Sequence, residues 1–365
     1  MIRWRAGTVV AVGARWPGAL ELSVRVHPDT EGVEPELVVR ALAYEELVGT
    51  PELGDAVLLN TTALDLGLGT GGYAMVVAVP GRLPRDPEGP GHLVKARYTP
   101  MQTTVLGVDE QDSPHHGVLA DADDLFGMPV VVADLHSSLP AVLAGLLHDR
   151  PDTRAVYVGT DGGALPLAFS RTLAGLRSAG WLAGSVSAGQ AFGGDLEAVT
   201  VHNGLLAARL VMSADVAVVT QGPGNLGTGT RWGFSGVSAG EAVNAASALG
   251  GRPVATLRVS EADPRERHLG VSHHSMTAYG RVAMAKADVP VPDLPGALGR
   301  QVAEQAEMLA QQPPHHRVVR VALAGLREAL AECPVPLSTM GRSLADDPAS
   351  FLAAAAAGRH AAGLL

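Results

Sequence analysis

Apolar residues in the first 80 positions fall in short alternating runs, Arg5–Ala14, Ala19–Val26, Leu37–Tyr44, Asp55–Thr61 and Tyr73–Val79, with turn-forming residues between them. Five strands this short bury their apolar face most simply by closing on one another, which predicts a small β-barrel of the OB or SH3 type over 1–80. The loop Leu64–Gly72, with Asp65, Gly67, Gly69, Thr70 and Gly71, is longer than a hairpin needs and reads as a binding loop. Residues 81–92 are rich in proline and glycine and lack periodicity, the composition of a linker.

From 93 to 365 the pattern changes to apolar runs, each followed by a Gly-rich or polar turn and a helical stretch. The clearest strands are Pro129–Ala133, Ala155–Val158, Val216–Thr220 and Pro253–Val259; the helices are Leu139–His148, Leu165–Ser178, Gly236–Leu249 and Ser272–Lys286. This alternation predicts a Rossmann-like parallel sheet covered by helices. Leu298–Gln311, Arg317–Glu332 and Pro348–Ala362 read as a helical C-terminal part, in which Ala353–Ala357 is a run of strong helix formers.

Composition narrows the function. Hydrophobic residues make up 47% and charged residues 18%, which excludes a disordered chain. The net charge is −10, the lysines are Lys95 and Lys286, and Phe and Tyr number five each, so nucleic acid and anionic membrane are poor partners and an anionic ligand must be met by local groups. Cys333 stands alone, which removes an internal disulfide and a cysteine zinc site and fits a reducing cytoplasm. No apolar run reaches the roughly 18 residues of a membrane span. A Gly- and Ala-rich chain with few charges has apolar surface to cover, which favours a homodimer.

In an open parallel sheet, ligands bind beyond the carboxyl ends of the strands. The first strand is followed there by Asp134 and His136, and the second by Asp161, Gly162 and Gly163. The third leads into QGPGNLGTGT, where Gly222, Gly224 and Gly227 form a GxGxxG without the helix and the later acidic residue of a dinucleotide site. A broader reading is an anion cradle built from Gly222, Gly224, Gly227, Thr228, Gly229 and Thr230, with Arg231 nearby. The GxSxG at Gly236–Gly240 lies too far from a strand to form a nucleophile elbow around Ser238.

The fourth strand leads into a segment holding Arg265, Arg267, His268, His273 and His274. Imidazoles suit proton transfer or a divalent metal, and guanidiniums clamp phosphate or carboxylate. Asp134, His136, Asp161, His268, His273 and His274 are therefore the catalytic candidates, and Arg265 and Arg267 join the glycine loop as ligand contacts. The histidine spacing matches no established zinc motif, so a divalent metal stays open as cofactor. Asp195, in the turn Gly193–Glu197, is either a ligand contact or a turn cap.

TDGGALP (Thr160–Pro166), AFGGDLEAV (Ala191–Val199), the glycine loop with GFSG (Gly233–Gly236), Ala262–His274 and STMGR (Ser338–Arg342) occur in one order that resembles a bacterial family, domain of unknown function 3866. The resemblance covers nearly the whole chain; it implies that these motifs belong together and implies no particular chemistry. The expectation is a cytoplasmic small-molecule enzyme acting on a phosphorylated or carboxylated metabolite by hydrolytic or phosphoryl/nucleotide chemistry. The alternative is a non-catalytic metabolite sensor that signals through the barrel to a protein partner. Convergent, buried ionisable groups favour the enzyme, and dispersed ones the sensor.

Overall fold

The structure, a computed structural model, describes residues 1–28, 37–69, 71–162, 166–222 and 225–365; Thr70, Gly163, Leu165 and Gly224 of the positions above lie outside the described residues. Two compact units form, residues 1–90 with 96–104, and residues 91–95 with 105–365. The chain thus passes from one unit to the other more than once around the proline-rich stretch.

In the first unit β1 (Trp4–Trp16), β2 (Ala19–Val26), β3 (Leu37–Tyr44), β4 (Ala56–Asn60) and β5 (Ala74–Ala78) close in the order β1-β2-β3-β5-β4. β1 is long enough to pair with β2 and β4, and bulges after Val9 and Val12 bend it between them. The barrel is sealed by a parallel β3/β5 pair, a Greek-key closure of the OB kind. Val9, Leu22, Val24, Leu59 and Val76 fill the interior. The Leu64–Gly72 loop begins as one helical turn, Thr62–Asp65.

The second unit holds eight parallel strands: β6 (Pro129–Val132), β7 (Ala155–Thr160), β8 (Gly184–Ala188), β9 (Leu196–Ala198), β10 (Val216–Gln221), β11 (Arg252–Ala255), β12 (Asp288–Pro292) and β13 (Arg317–Val321). Their order is β9-β8-β7-β10-β6-β11-β12-β13. Central strands are buried on both sides, so they read as unbroken apolar runs: Val130 and Val132 face one core, Val131 the other.

The first of these cores is covered by α3 (Val201–Leu206), α4 (Ser238–Ala248), α5 (His273–Thr277) with its π turn Ala278–Val282, and α6 (Gly296–Ala310). The other is covered by α1 (Leu139–Asp149), α2 (Arg171–Ser178), α7 (Leu326–Ala331) and α8 (Pro348–Ala362). The alanine run of α8 is buried against α1, and a Cβ at Gly145 or Gly358 would overlap the carbonyl of Ala355 or Val142. Small residues there are a packing requirement as well as helix formers.

Three expected helices differ in the structure: Leu165–Ser178 becomes an α-helix only from Arg171, and Ser272–Lys286 ends with the π turn at Val282. Arg317–Glu332 is not a single helix; Arg317–Val321 is the edge strand β13, and a helix forms only after the left-handed Gly325. Among the described residues no helix is long and apolar enough to cross a membrane.

Candidate functional site

β6 and β10 are neighbours, yet the chain leaves β6 through α1 on one face and β10 through α4 on the other. Such a divergence opens a crevice at the carboxyl ends of the two strands. Asp134 follows β6, Gln221 ends β10, and the Gln221 amide donates to the Asp134 carbonyl at 2.8 Å, joining the two strand ends.

Beyond β11 the chain makes an excursion through the antiparallel ladder Val259–Ser260 with Gly270–Val271 and returns to Ser272. The Ser272 hydroxyl caps α5, accepting from the His274 amide at 3.2 Å. Arg258 at its start and His274 after its return reach Asp134, and His268 and His273 gather around His274. The His274 Nδ1 lies 3.5 Å from Asp134 Oδ2 and accepts from the Arg258 guanidinium at 3.1 Å. Its ring stacks on Phe234 with centroids 3.8 Å apart. His268 and His273 pack on it and on each other, with centroids 4.4–5.0 Å apart. His268 Nδ1 is 2.7 Å from the Ser272 hydroxyl. His273 Nε2 and Asp134 Oδ2 are buried without a hydrogen-bond partner among the described residues.

Burial, reinforced by Arg258 and Arg265, lowers the His268 pKa to about 3. Burial, with neighbouring His274 and then Arg267, lowers that of His273 to about 4. Both rings are neutral at neutral pH. Behind them lies an ion-pair network. Arg265 grips the buried Asp263 through two hydrogen bonds of 2.8 Å, and Arg342 bridges Asp263 at 3.2 Å to Asp347 at 3.0 Å. The Arg265 hydrogen bonds hold the Asp263 carboxyl well below the usual range.

His273 also lines a cavity of about 390 Å³ with Gly229, Arg231, Arg267, Met276, Thr277, Arg281 and Gln312. Arg231, Arg267 and Arg281 have no ion-pair partner among the described residues, and no carboxylate lines the cavity. His273, Thr277 and Arg281 stand four residues apart, the spacing that puts side chains on one helical face. That spacing was readable in the sequence and identifies Arg281; Arg258, Asn225 and Phe234 carried no comparable signal.

The other candidates are placed elsewhere. Both His136 nitrogens are engaged, Nδ1 with the Tyr157 hydroxyl at 3.0 Å and Nε2 with the Ser170 hydroxyl at 2.7 Å, and burial lowers its pKa to about 4. Asp161 accepts from the Gln190 amide at 2.8 Å and lines a separate cavity of about 250 Å³ with Thr160, Ser238 and Glu241. It packs so closely on Gly189, at φ 89°, that a Cβ there would overlap the carboxylate.

Asp195 holds a turn: it pairs with Arg177 and accepts from the Ser185 amide at 2.7 Å. Arg265 serves Asp263, while Arg267 faces the cavity. Thr228 and Thr230 bond each other, and within the loop the Thr228 amide donates to the Gly233 carbonyl and the Gly233 amide to the Thr230 hydroxyl. Gly227 pairs across this hairpin with Phe234, and Gly222 donates to the Thr160 carbonyl at 3.3 Å. Among the described residues of the expected cradle, Gly229 alone lines the arginine cavity.

No curated protein and no solved structure matches the chain. The family model described as a protein of unknown function (DUF3866) matches residues 40–358, and the chain belongs to that family.

Proposed function

We propose that the protein is a cytoplasmic enzyme that binds a small phosphorylated or carboxylated molecule in the arginine cavity and acts on it at the adjoining histidines, by hydrolytic or phosphoryl-transfer chemistry. One observation carries the reading. In a chain of net charge −10, three guanidiniums without acidic partners among the described residues converge on one cavity whose wall includes His273. Three like charges held together repel until an anion enters, and the guanidinium fork matches phosphate and carboxylate oxygens. Neutral His268 and His273 each carry one ring lone pair, available to a proton or to a Lewis acid that activates water or a substrate hydroxyl in its place. Convergence and burial of these rings favour an enzyme over a sensor.

Calorimetric titration with inorganic phosphate, pyrophosphate and citrate tests the binding half. Wild type binds at least one of the three, and Arg267→Gln or Arg281→Gln weakens binding about 10- to 100-fold, the worth of a charge-assisted hydrogen bond of about 1.5–3 kcal/mol. Failure of the wild-type protein to bind any of them, or variants of unchanged affinity, overturns the reading. Turnover of a panel of phosphate and carboxylate esters tests the enzymatic half, with KM raised in Arg281→Gln and kcat lowered in His273→Gln; binding without turnover of any ester returns the sensor.

A further inference from the structure

We infer that His268, His273 and His274 form a binding site for a divalent transition metal, with three imidazole ligands and an exchangeable position toward the arginine cavity. The inference takes from the proposed function only the location of the site, and neither metal binding nor its test depends on the anion.

One ring nitrogen from each histidine lies within 4.8 Å of the other two, and among the described residues no other three His, Cys, Asp or Glu side chains converge this closely. A tetrahedral centre with metal–nitrogen bonds of about 2.0–2.1 Å needs its ligand nitrogens about 3.3–3.4 Å apart, so the rings would draw in by an ångström or so. Rotation of the side chains supplies that, since all three stand on or beside one helix end.

The partners of the rings sort their nitrogens. His268 Nδ1 is held by Ser272, and His274 Nδ1 lies between Arg258 and Asp134; in the metal-bound form it would carry the proton and donate to Asp134 instead of accepting from Arg258, which frees the Nε2 atom of each ring for the centre. His273 Nε2 is buried and makes no hydrogen bond among the described residues. Three packed imidazoles with such a nitrogen satisfy neither an apolar core nor a hydrogen-bonded one, and a metal gives those nitrogens a partner. Ser272 and Asp134 then act as the outer partners that fix ring orientation in histidine metal sites.

The arginines act against positive charge at His268 and His273, and carboxylates offset part of that field. Arg258, Arg342 and the partly exposed Arg265 pair with the buried Asp134, Asp263 and Asp347. The unmatched cations, Arg231, Arg267 and Arg281, line the neighbouring cavity with His273, where a bound anion would offset them and present an oxygen to the metal. An all-nitrogen ligand set selects zinc, cobalt, nickel or copper over magnesium and calcium, which prefer oxygen. When bound, such an ion supplies Lewis-acid polarisation of that oxygen.

The test uses the full chain, stripped with chelator, incubated with Zn²⁺ or Co²⁺, desalted and analysed for metal. Wild type is expected to retain about one ion per chain, and His268→Ala or His273→Ala to bind at least about tenfold more weakly. Wild-type protein free of metal after desalting, or folded variants with undiminished metal, overturns the inference. If the alanine variants fail to fold, His273→Cys decides: it retains Co²⁺ and gains a near-ultraviolet thiolate-to-cobalt band, and cobalt retained without that band overturns the site. Arg281→Gln separates the two readings. Metal retained with phosphate binding absent even in wild type sinks the anion reading alone; phosphate bound by a wild type that takes up no metal sinks the metal site alone.

Discussion

Six arginines near the crevice divide into two regions of equal charge and opposite circumstance. Arg258, Arg265 and Arg342 are paired with the buried Asp134, Asp263 and Asp347, whereas Arg231, Arg267 and Arg281 line a cavity with no carboxylate among the described residues. Arg265 and Arg267 are two positions apart and belong to different regions. What separates them is the carboxylate each can reach, because Asp263 faces inward beside Arg265 while Arg267 projects into the cavity. The first region holds the excursion after β11 in shape; the second presents exposed charge to which a ligand can bind.

The contrast breaks first on stability. Asp263→Ala removes the buried carboxylate that Arg265 and Arg342 share; because Arg265 is partly exposed and Arg342 keeps Asp347, the cost should be about 2–3 kcal/mol, below that of stranding a fully buried charge. Arg281→Gln should stay within about 0.5 kcal/mol of wild type, as a surface change does. Urea unfolding measures both, and a cost below about 1 kcal/mol for Asp263→Ala would dissolve the distinction.

The histidines repeat it. His136 has both nitrogens engaged and a pKa lowered to about 4 from 6.5. As pH falls the unfolded chain takes up this proton first, so the contribution is complete above pH 6.5 and declines as pH drops towards 4, by at most about 3 kcal/mol. His268 and His273, also lowered, add in the same direction. His136→Gln should therefore flatten part of the acid limb of the stability curve while leaving phosphate affinity unchanged; an unaltered limb would show that His136 titrates normally.

Much of this was legible beforehand, and the misses have physical reasons. The barrel strands and β6, β7, β10 and β11 announce themselves because each is an apolar run bounded by turn residues. β8, GSVSA, is built of small side chains, β9 has three residues, and β12 contains Pro290 and Pro292, which cannot donate to a ladder; none of them looks like a strand in isolation. In Arg317–Glu332 the helix formers beyond Gly325 outweighed the β-branched alternation before it. At the site, the histidines and Asp134 followed from the strand-end rule. The fate of Arg265 did not, since its network is completed by Arg342 and Asp347 from a distant segment that only the tertiary fold brings near.

The smallest expected effect sharpens the comparison most, because it concerns the loop that looked most like an anion cradle. Thr228 and Thr230 bond each other and the loop's own backbone, so their hydroxyls already have partners, and Gly229 is the position of this turn that reaches the arginine cavity. Thr228→Ala and Thr230→Ala should lower stability by no more than about 1 kcal/mol, the net worth of one ordinary hydrogen bond. Phosphate affinity should stay within about twofold of wild type, since neutral donors already engaged add little beside three guanidiniums. A tenfold loss in either variant would mean that the loop rearranges to offer its hydroxyls to the anion, and the ligand-binding region would then extend from the arginines along the whole turn.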